Sequence, residues 1–136
     1  MITGGCLCGA VRYTLSEGPI TGRVCWCKVC QKLGCGGPAV GAAFKTAALT
    51  VTGELRDYVS FADSGNRMHR RFCPVCGTHL FSEAESRPLL VFVRAGGLDD
   101  PEIAKPASTI WTASAPSWAT IDPNLPQVPG QPPPIG

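Results

Sequence analysis

Eight cysteines among 136 residues are the first candidates for chemistry. They fall into a pair, Cys6 and Cys8, a triplet, Cys25, Cys27 and Cys30, a lone Cys35, and a second pair, Cys73 and Cys76. Thiolates are metal ligands, and grouped spacings suit a metal better than scattered core positions would. Residues i and i+2 of a strand face one side. Cys6 with Cys8, and Cys25 with Cys27, can therefore each aim two sulfurs at one ion. Cys73-Pro74-Val75-Cys76-Gly77 reads as a knuckle whose turn gathers two sulfurs, with Gly77 free to take a positive φ. Two pairs make four thiolates, so Cys6, Cys8, Cys73 and Cys76 form a closed, structural tetrahedral site. The triplet supplies three ligands and leaves one position open, the arrangement of a catalytic centre. Buried core thiols or disulfides are the competing reading. Cys35 reads as a small buried thiol or, alternatively, as a fourth ligand that closes the second site as well. Zinc fits both groups, and iron in an all-thiolate site is the other option.

These groups need a scaffold. The 16 glycines and 13 prolines leave little room for long helices. Short β-type runs recur at 10–15, 39–44, 49–51, 58–61 and 89–93, separated by turn signals such as Glu17-Gly18-Pro19 and Thr52-Gly53-Glu54. An all-β domain follows, with one short helical turn near 28–33 closed by Gly34. From Ile121 onward the chain carries six prolines and one charged side chain, Asp122. That composition favours polyproline II and builds no core. The reading is a domain over 1–120 and a proline-rich tail over 121–136, draped or disordered.

Bulk properties remove several classes. The formal net charge is +2, too small for a whole-protein field toward nucleic acid or a membrane surface. The start of the chain has no basic segment followed by an apolar one, so it does not read as a secretory signal. The apolar run 89–93 is too short to span a bilayer, which takes about 20 residues in a helix. A cytoplasmic protein with reduced thiols is expected, which again favours metal over disulfides.

Three motifs then carry a resemblance. Gly5-Cys6-Leu7-Cys8-Gly9-Ala10-Val11-Arg12-Tyr13, Cys25-Trp26-Cys27-Lys28-Val29-Cys30 and Arg70-Arg71-Phe72-Cys73-Pro74-Val75-Cys76-Gly77-Thr78 stand in this order. Together with Gly97-Leu98-Asp99-Asp100, Pro106, Ile110-Trp111 and Trp118, they resemble the GFA family. These are the glutathione-dependent formaldehyde-activating enzymes and their centromere-protein-V-like relatives. The resemblance implies a β-tent-like, mostly antiparallel single domain carrying two zinc ions. It implies a structural zinc at Cys6, Cys8, Cys73 and Cys76 and a more labile, functional zinc at Cys25, Cys27 and Cys30. It further implies a carbon–sulfur lyase or thiol–aldehyde adduct-forming enzyme, with a glutathione-like thiol and a small aldehyde as partners. Trp26, Cys35 and Thr109 depart from the family pattern, which often has His at the first and last of these positions and small residues around the second. The departures bear on substrate more than on fold.

Basic residues near the cysteines are candidates for the thiol's carboxylates: Arg70, Arg71 and Lys28. On a strand, Arg67, His69 and Arg71 share a face with Cys73, while Arg70 turns the other way with Met68 and Phe72. A solvated strand is the plain alternative. Neither His69 nor His79 has a ligand's spacing. The rival function is a non-catalytic zinc module binding protein or nucleic acid, and the near-balanced charge argues against nucleic acid.

Overall fold

Alternating apolar and polar residues produce short strands at intervals along the chain, and the computed structural model describes residues 1–135. Gly136, the last residue of the proline-rich tail, lies outside them. The strands are β1 (Ile2–Gly5), β2 (Arg12–Leu15), β3 (Thr21–Cys25), β4 (Ala39–Lys45), β5 (Leu49–Thr52) and β6 (Arg56–Phe61). They continue with β7 (Arg67–Phe72), β8 (His79–Ala84), β9 (Leu90–Arg94), β10 (Ser108–Ile110) and β11 (Gln127–Val128). The five β-type runs correspond to β2, β4, β5, β6 and β9. The single α-helix, α1 (Lys28–Leu33), ends at Gly34, whose N–H reaches the Cys30 carbonyl at 2.7 Å.

A three-stranded sheet has the order β1-β2-β5, and an eight-stranded sheet has the order β11-β10-β3-β4-β9-β8-β7-β6. Pairing is antiparallel except at β10, which runs parallel to both β3 and β11. The mostly antiparallel all-β expectation is met. The proline-rich segment supplies β11, and Thr109 N–H donates to the Pro126 carbonyl at 2.9 Å.

The core lies where the small sheet covers one face of the large one. Tyr13 and Leu15 from β2 meet Phe44 from β4, Val91 and Val93 from β9, and Leu80 and Phe81 from β8. Tyr13 and Phe81 pack edge to face, ring centroids 5.0 Å apart. A bulge between Arg71 and Phe72 lets the consecutive residues Leu80 and Phe81 both enter this core. Gly4 is obligatory here, because a Cβ would lie 2.3 Å from the Tyr13 ring.

The opposite face of the large sheet is left for the site. Every second residue points to it: Arg23 and Cys25 on β3, Gly41 on β4, Phe92 and Arg94 on β9, Ser82 on β8, Met68 and Arg70 on β7. Their strands are in register, with Arg23 opposite Gly41, Gly41 opposite Arg94, Phe92 opposite Ser82 and Ser82 opposite Arg70. Ala62–Asn66, the turn joining β6 and β7, and Trp111 after β10 wall this face in.

Candidate metal centres and a basic cavity

The first cysteine group forms where the chain leaves β1. Cys6 and Cys8 lie in a turn, not on a strand as their spacing suggested. Gly9, at φ 82°, reverses the chain, and its N–H reaches the Cys6 carbonyl at 3.3 Å. The turn still gathers the sulfurs, with Cys6 and Cys8 Sγ 3.6 Å apart and Cys8 and Cys73 Sγ 3.8 Å apart. Gly77 has φ 77° and closes the knuckle through its N–H to the Cys73 carbonyl at 2.9 Å. Thr78 Oγ1 fastens the two halves, accepting from Leu7 N–H at 3.1 Å and meeting Cys76 Sγ at 3.1 Å.

The sulfurs are also surrounded by donors. Cys6 Sγ accepts from Val11 N–H at 3.3 Å, and Cys73 Sγ accepts from Val75 N–H at 3.4 Å. The Thr78 hydroxyl and backbone hold the Cys76 thiol down to about 5, while the Cys8 thiol is pushed up to about 11 within the same group. Four thiols this close do not all ionise alone, and a cation removes the conflict. Tetrahedral zinc with Zn–S bonds of about 2.3 Å sets its sulfurs about 3.8 Å apart. The separations of Cys6, Cys8 and Cys73 fit that ion.

The second group stands at the β3–α1 junction. Cys25 ends β3, Cys27 caps α1 and Cys30 lies in its first turn, with the three sulfurs within 4.8 Å of one another. Cys27 Sγ accepts from Cys30 N–H at 3.2 Å. The Cys25 and Cys30 thiols and that N–H make Cys27 the first to ionise, while hydrogen bonding to Cys27 and then to Cys30, with burial, pushes Cys25 up. The group fits a cation for the same reason as the first. Gln31 holds the helix against the sheet, its amide donating to the Trp26 and Ser114 carbonyls.

All three cysteines of this group line a cavity of about 90 Å³ on the open face of the large sheet. Arg23, Arg70, Arg87 and Arg94 line it as well. Arg70 is buried, and its Nε–H donates to Ser60 Oγ at 3.2 Å. Arg94 Nη2 donates to Ser82 Oγ at 2.7 Å, and its Nε is closed to solvent without a partner. The Arg23 guanidinium stacks 4.3 Å from the Phe92 ring centroid. Arg23 was open to sequence reasoning, since it precedes Cys25 by two residues on one strand. Arg94 was not, because only the β4–β9 pairing brings it to Gly41.

The remaining candidates lie elsewhere. Arg71 points away from the cavity and pairs with Glu83 at 2.8 Å. Lys28 is exposed and outside the lining; its N–H binds Asp63 Oδ2 at 2.9 Å. His69 is held between Asp57 at 2.5 Å and Glu85 at 3.1 Å on the outer side of β7. Cys35, read as buried, is exposed at φ 58° and belongs to neither group. Gly34 and Gly36 around it make a tight surface turn with no core to enter. Trp26 is buried against Trp118 and Thr109 lies on the same far side, so all three departures from the family pattern fall outside the cavity lining.

The family model for glutathione-dependent formaldehyde-activating enzymes, GFA, matches residues 1–114. The chain belongs to the GFA family. A Halomonas elongata protein, named provisionally as a glutathione-dependent formaldehyde-activating enzyme, is 27% identical over 129 residues. That match covers 90% of this chain and 82% of the relative. A crystal structure of a Rhodobacter sphaeroides protein superposes with a TM-score of 0.56 at 26% identity, over 71% of this chain and 87% of that one. Both cysteine groups lie within the span matched to GFA, and the tail strand β11 lies beyond it. No helix among the described residues is long and apolar enough to cross a membrane.

Proposed function

We propose that this GFA-family chain is a zinc-dependent carbon–sulfur lyase of the thiol–aldehyde adduct type, acting on a glutathione-like thiol and a small aldehyde such as formaldehyde. The observation that carries the reading is the second cysteine group, whose three residues line a cavity that the four of the first group do not reach. Cys6, Cys8, Cys73 and Cys76 would hold one zinc for structure, and Cys25, Cys27 and Cys30 a second. That second zinc supplies a position at which a thiol is kept ionised at neutral pH.

The chain's own residues do the rest. The N–H of Cys30 and the neighbouring thiols concentrate negative charge on Cys27 Sγ, at the cavity's edge. Met68, Phe92, Ile110 and Trp111 give the cavity apolar walls that exclude water from a reacting pair. The substrate thiol gives up its proton, its sulfur and the carbonyl carbon form the new bond, the carbonyl's electron pair moves to oxygen, and that oxygen takes up the proton the thiol released. The lyase direction reverses each transfer. Arg70 is the member of the Arg70, Arg71 and Lys28 set that lines the cavity, and it is assigned to an anionic group of the thiol. A cytoplasmic location with reduced thiols suits this chemistry.

Adduct formation from glutathione and formaldehyde, followed by nuclear magnetic resonance against the uncatalysed rate, tests the reading. The expected result is acceleration that Cys27→Ala abolishes, with circular dichroism unchanged and metal falling from about two ions per chain to about one. A Cys27→Ala protein as fast as the parent would overturn it.

A further inference from the structure

We propose that the cavity contains a carboxylate-binding subsite, built by Arg23, Arg70 and Arg94 around the side-chain gap at Gly41, so that the adduct handled here carries a carboxylate. The proposal deepens the proposed activity by fixing the charge of its substrate. It stands on the arginines rather than on the cysteines.

With Arg87, the residues Arg23, Arg70 and Arg94 bring four guanidinium groups to one small space, and none pairs with a carboxylate among the described residues. Their partners are neutral instead: the Ser60 hydroxyl for Arg70, the Ser82 hydroxyl for Arg94 and the Phe92 ring for Arg23. Neutral partners fix the direction of a guanidinium and leave its charge uncompensated. The lining's acidic side chain, Asp63, accepts from Lys28 N–H and supplies one negative charge. Asp63 and three thiolates on a divalent cation together carry two net negative charges, so the four guanidinium charges of the lining still exceed their surroundings.

Register explains how they converge. Gly41 lies between Arg23 on β3 and Arg94 on β9, in direct cross-strand pairing with each. A side chain there would crowd the Arg94 guanidinium, since a Cβ would lie 3.5 Å from its Nη1. Size narrows the ligand further. A cavity of about 150 Å³ accommodates benzene, and this one is about 90 Å³. It takes a carboxylate with one or two further carbons, and the bulk of a tripeptide would remain outside. The carboxylate can belong to the thiol or to a 2-oxo acid acting as the aldehyde.

Calorimetric titration of the metal-loaded full chain separates these sources without any turnover. The probes are S-methylglutathione against its diethyl ester, and glyoxylate against acetaldehyde. Tighter binding of S-methylglutathione than of its ester places the thiol's carboxylate in the subsite. Tighter binding of glyoxylate than of acetaldehyde places the oxo acid's carboxylate there. In either case Arg23→Gln or Arg94→Gln weakens the preferred probe by about tenfold or more, and Arg94→Lys recovers part of the loss. Equal affinity for charged and uncharged probes, or binding by none of the four, overturns the subsite, and the parent protein alone suffices to show it. Charge-selective binding without adduct formation would retain the subsite and sink the proposed activity instead.

Discussion

His79 follows the knuckle by three residues, half-buried, with Nε2–H donating to the Phe81 carbonyl at 3.1 Å. Burial, reinforced by the charge of Arg94, holds its imidazole down to about 4. The unfolded chain takes up this proton near 6.5, so below that pH it binds more protons than the folded one. The contribution of His79 is therefore complete above about pH 6.5 and is lost as the pH falls toward 4. His69 has the opposite sign, because Asp57 and then Glu85 raise it. What it contributes is complete below about 6.5 and is lost as the pH rises through the raised value. Urea midpoints at pH 7 and pH 4.5 check the first case: the parent loses more stability between them than His79→Gln does. Equal losses would show that His79 is not the titrating group. At this scale the cysteine groups were legible because ligand spacing is local. Cys35 was misjudged because burial depends on what surrounds a turn, which its neighbours in sequence do not specify.

Strands, rather than the residues on them, decide which side chains meet. β1 and β2 are brought together by Gly4, where a Cβ would also lie 2.5 Å from the Gly97 carbonyl. Gly4→Ala should destabilise the protein by about 2–3 kcal/mol, read from denaturant midpoints, because backbone and a buried aromatic ring cannot yield cheaply. A change below about 0.5 kcal/mol would mean that β1 is free to shift. β2, β4, β5, β6 and β9 were readable as β-branched or apolar runs between turn signals. β1, β3, β10 and β11 were not, since they contain glycine, arginine or proline neighbours and owe their conformation to pairing. The strand assumed for Cys6 and Cys8 is a turn, because Gly9 ends extended structure before a second strand position is reached. Sulfur convergence survived that error, since strand and tight turn both place i and i+2 together.

Taken whole, the molecule is tied by its first cysteine group across a long stretch of chain, from Cys6 to Cys76, whereas its second group spans six residues from Cys25 to Cys30. Closing a long loop restricts the unfolded chain far more than closing a short one. Stepwise chelation should therefore remove one metal with little change in melting temperature and the other only with unfolding. Loss of both in one step would remove the distinction between an open and a closed site. The family and fold class were legible from motif order at this scale, whereas the cavity was not, because it exists only once Arg23, Arg70 and Arg94 arrive from three strands. The two ends of the large sheet differ in kind. At one end Thr109, Trp111 and Ala113 donate to the carbonyls of Pro126, Gly130 and Pro129, in a segment whose prolines accept hydrogen bonds but offer no N–H in return. At the other end β6 exposes Tyr58 and Phe61. Growth of the sheet by addition of a foreign strand is thus discouraged at the proline end, and self-association through backbone pairing is directed to β6.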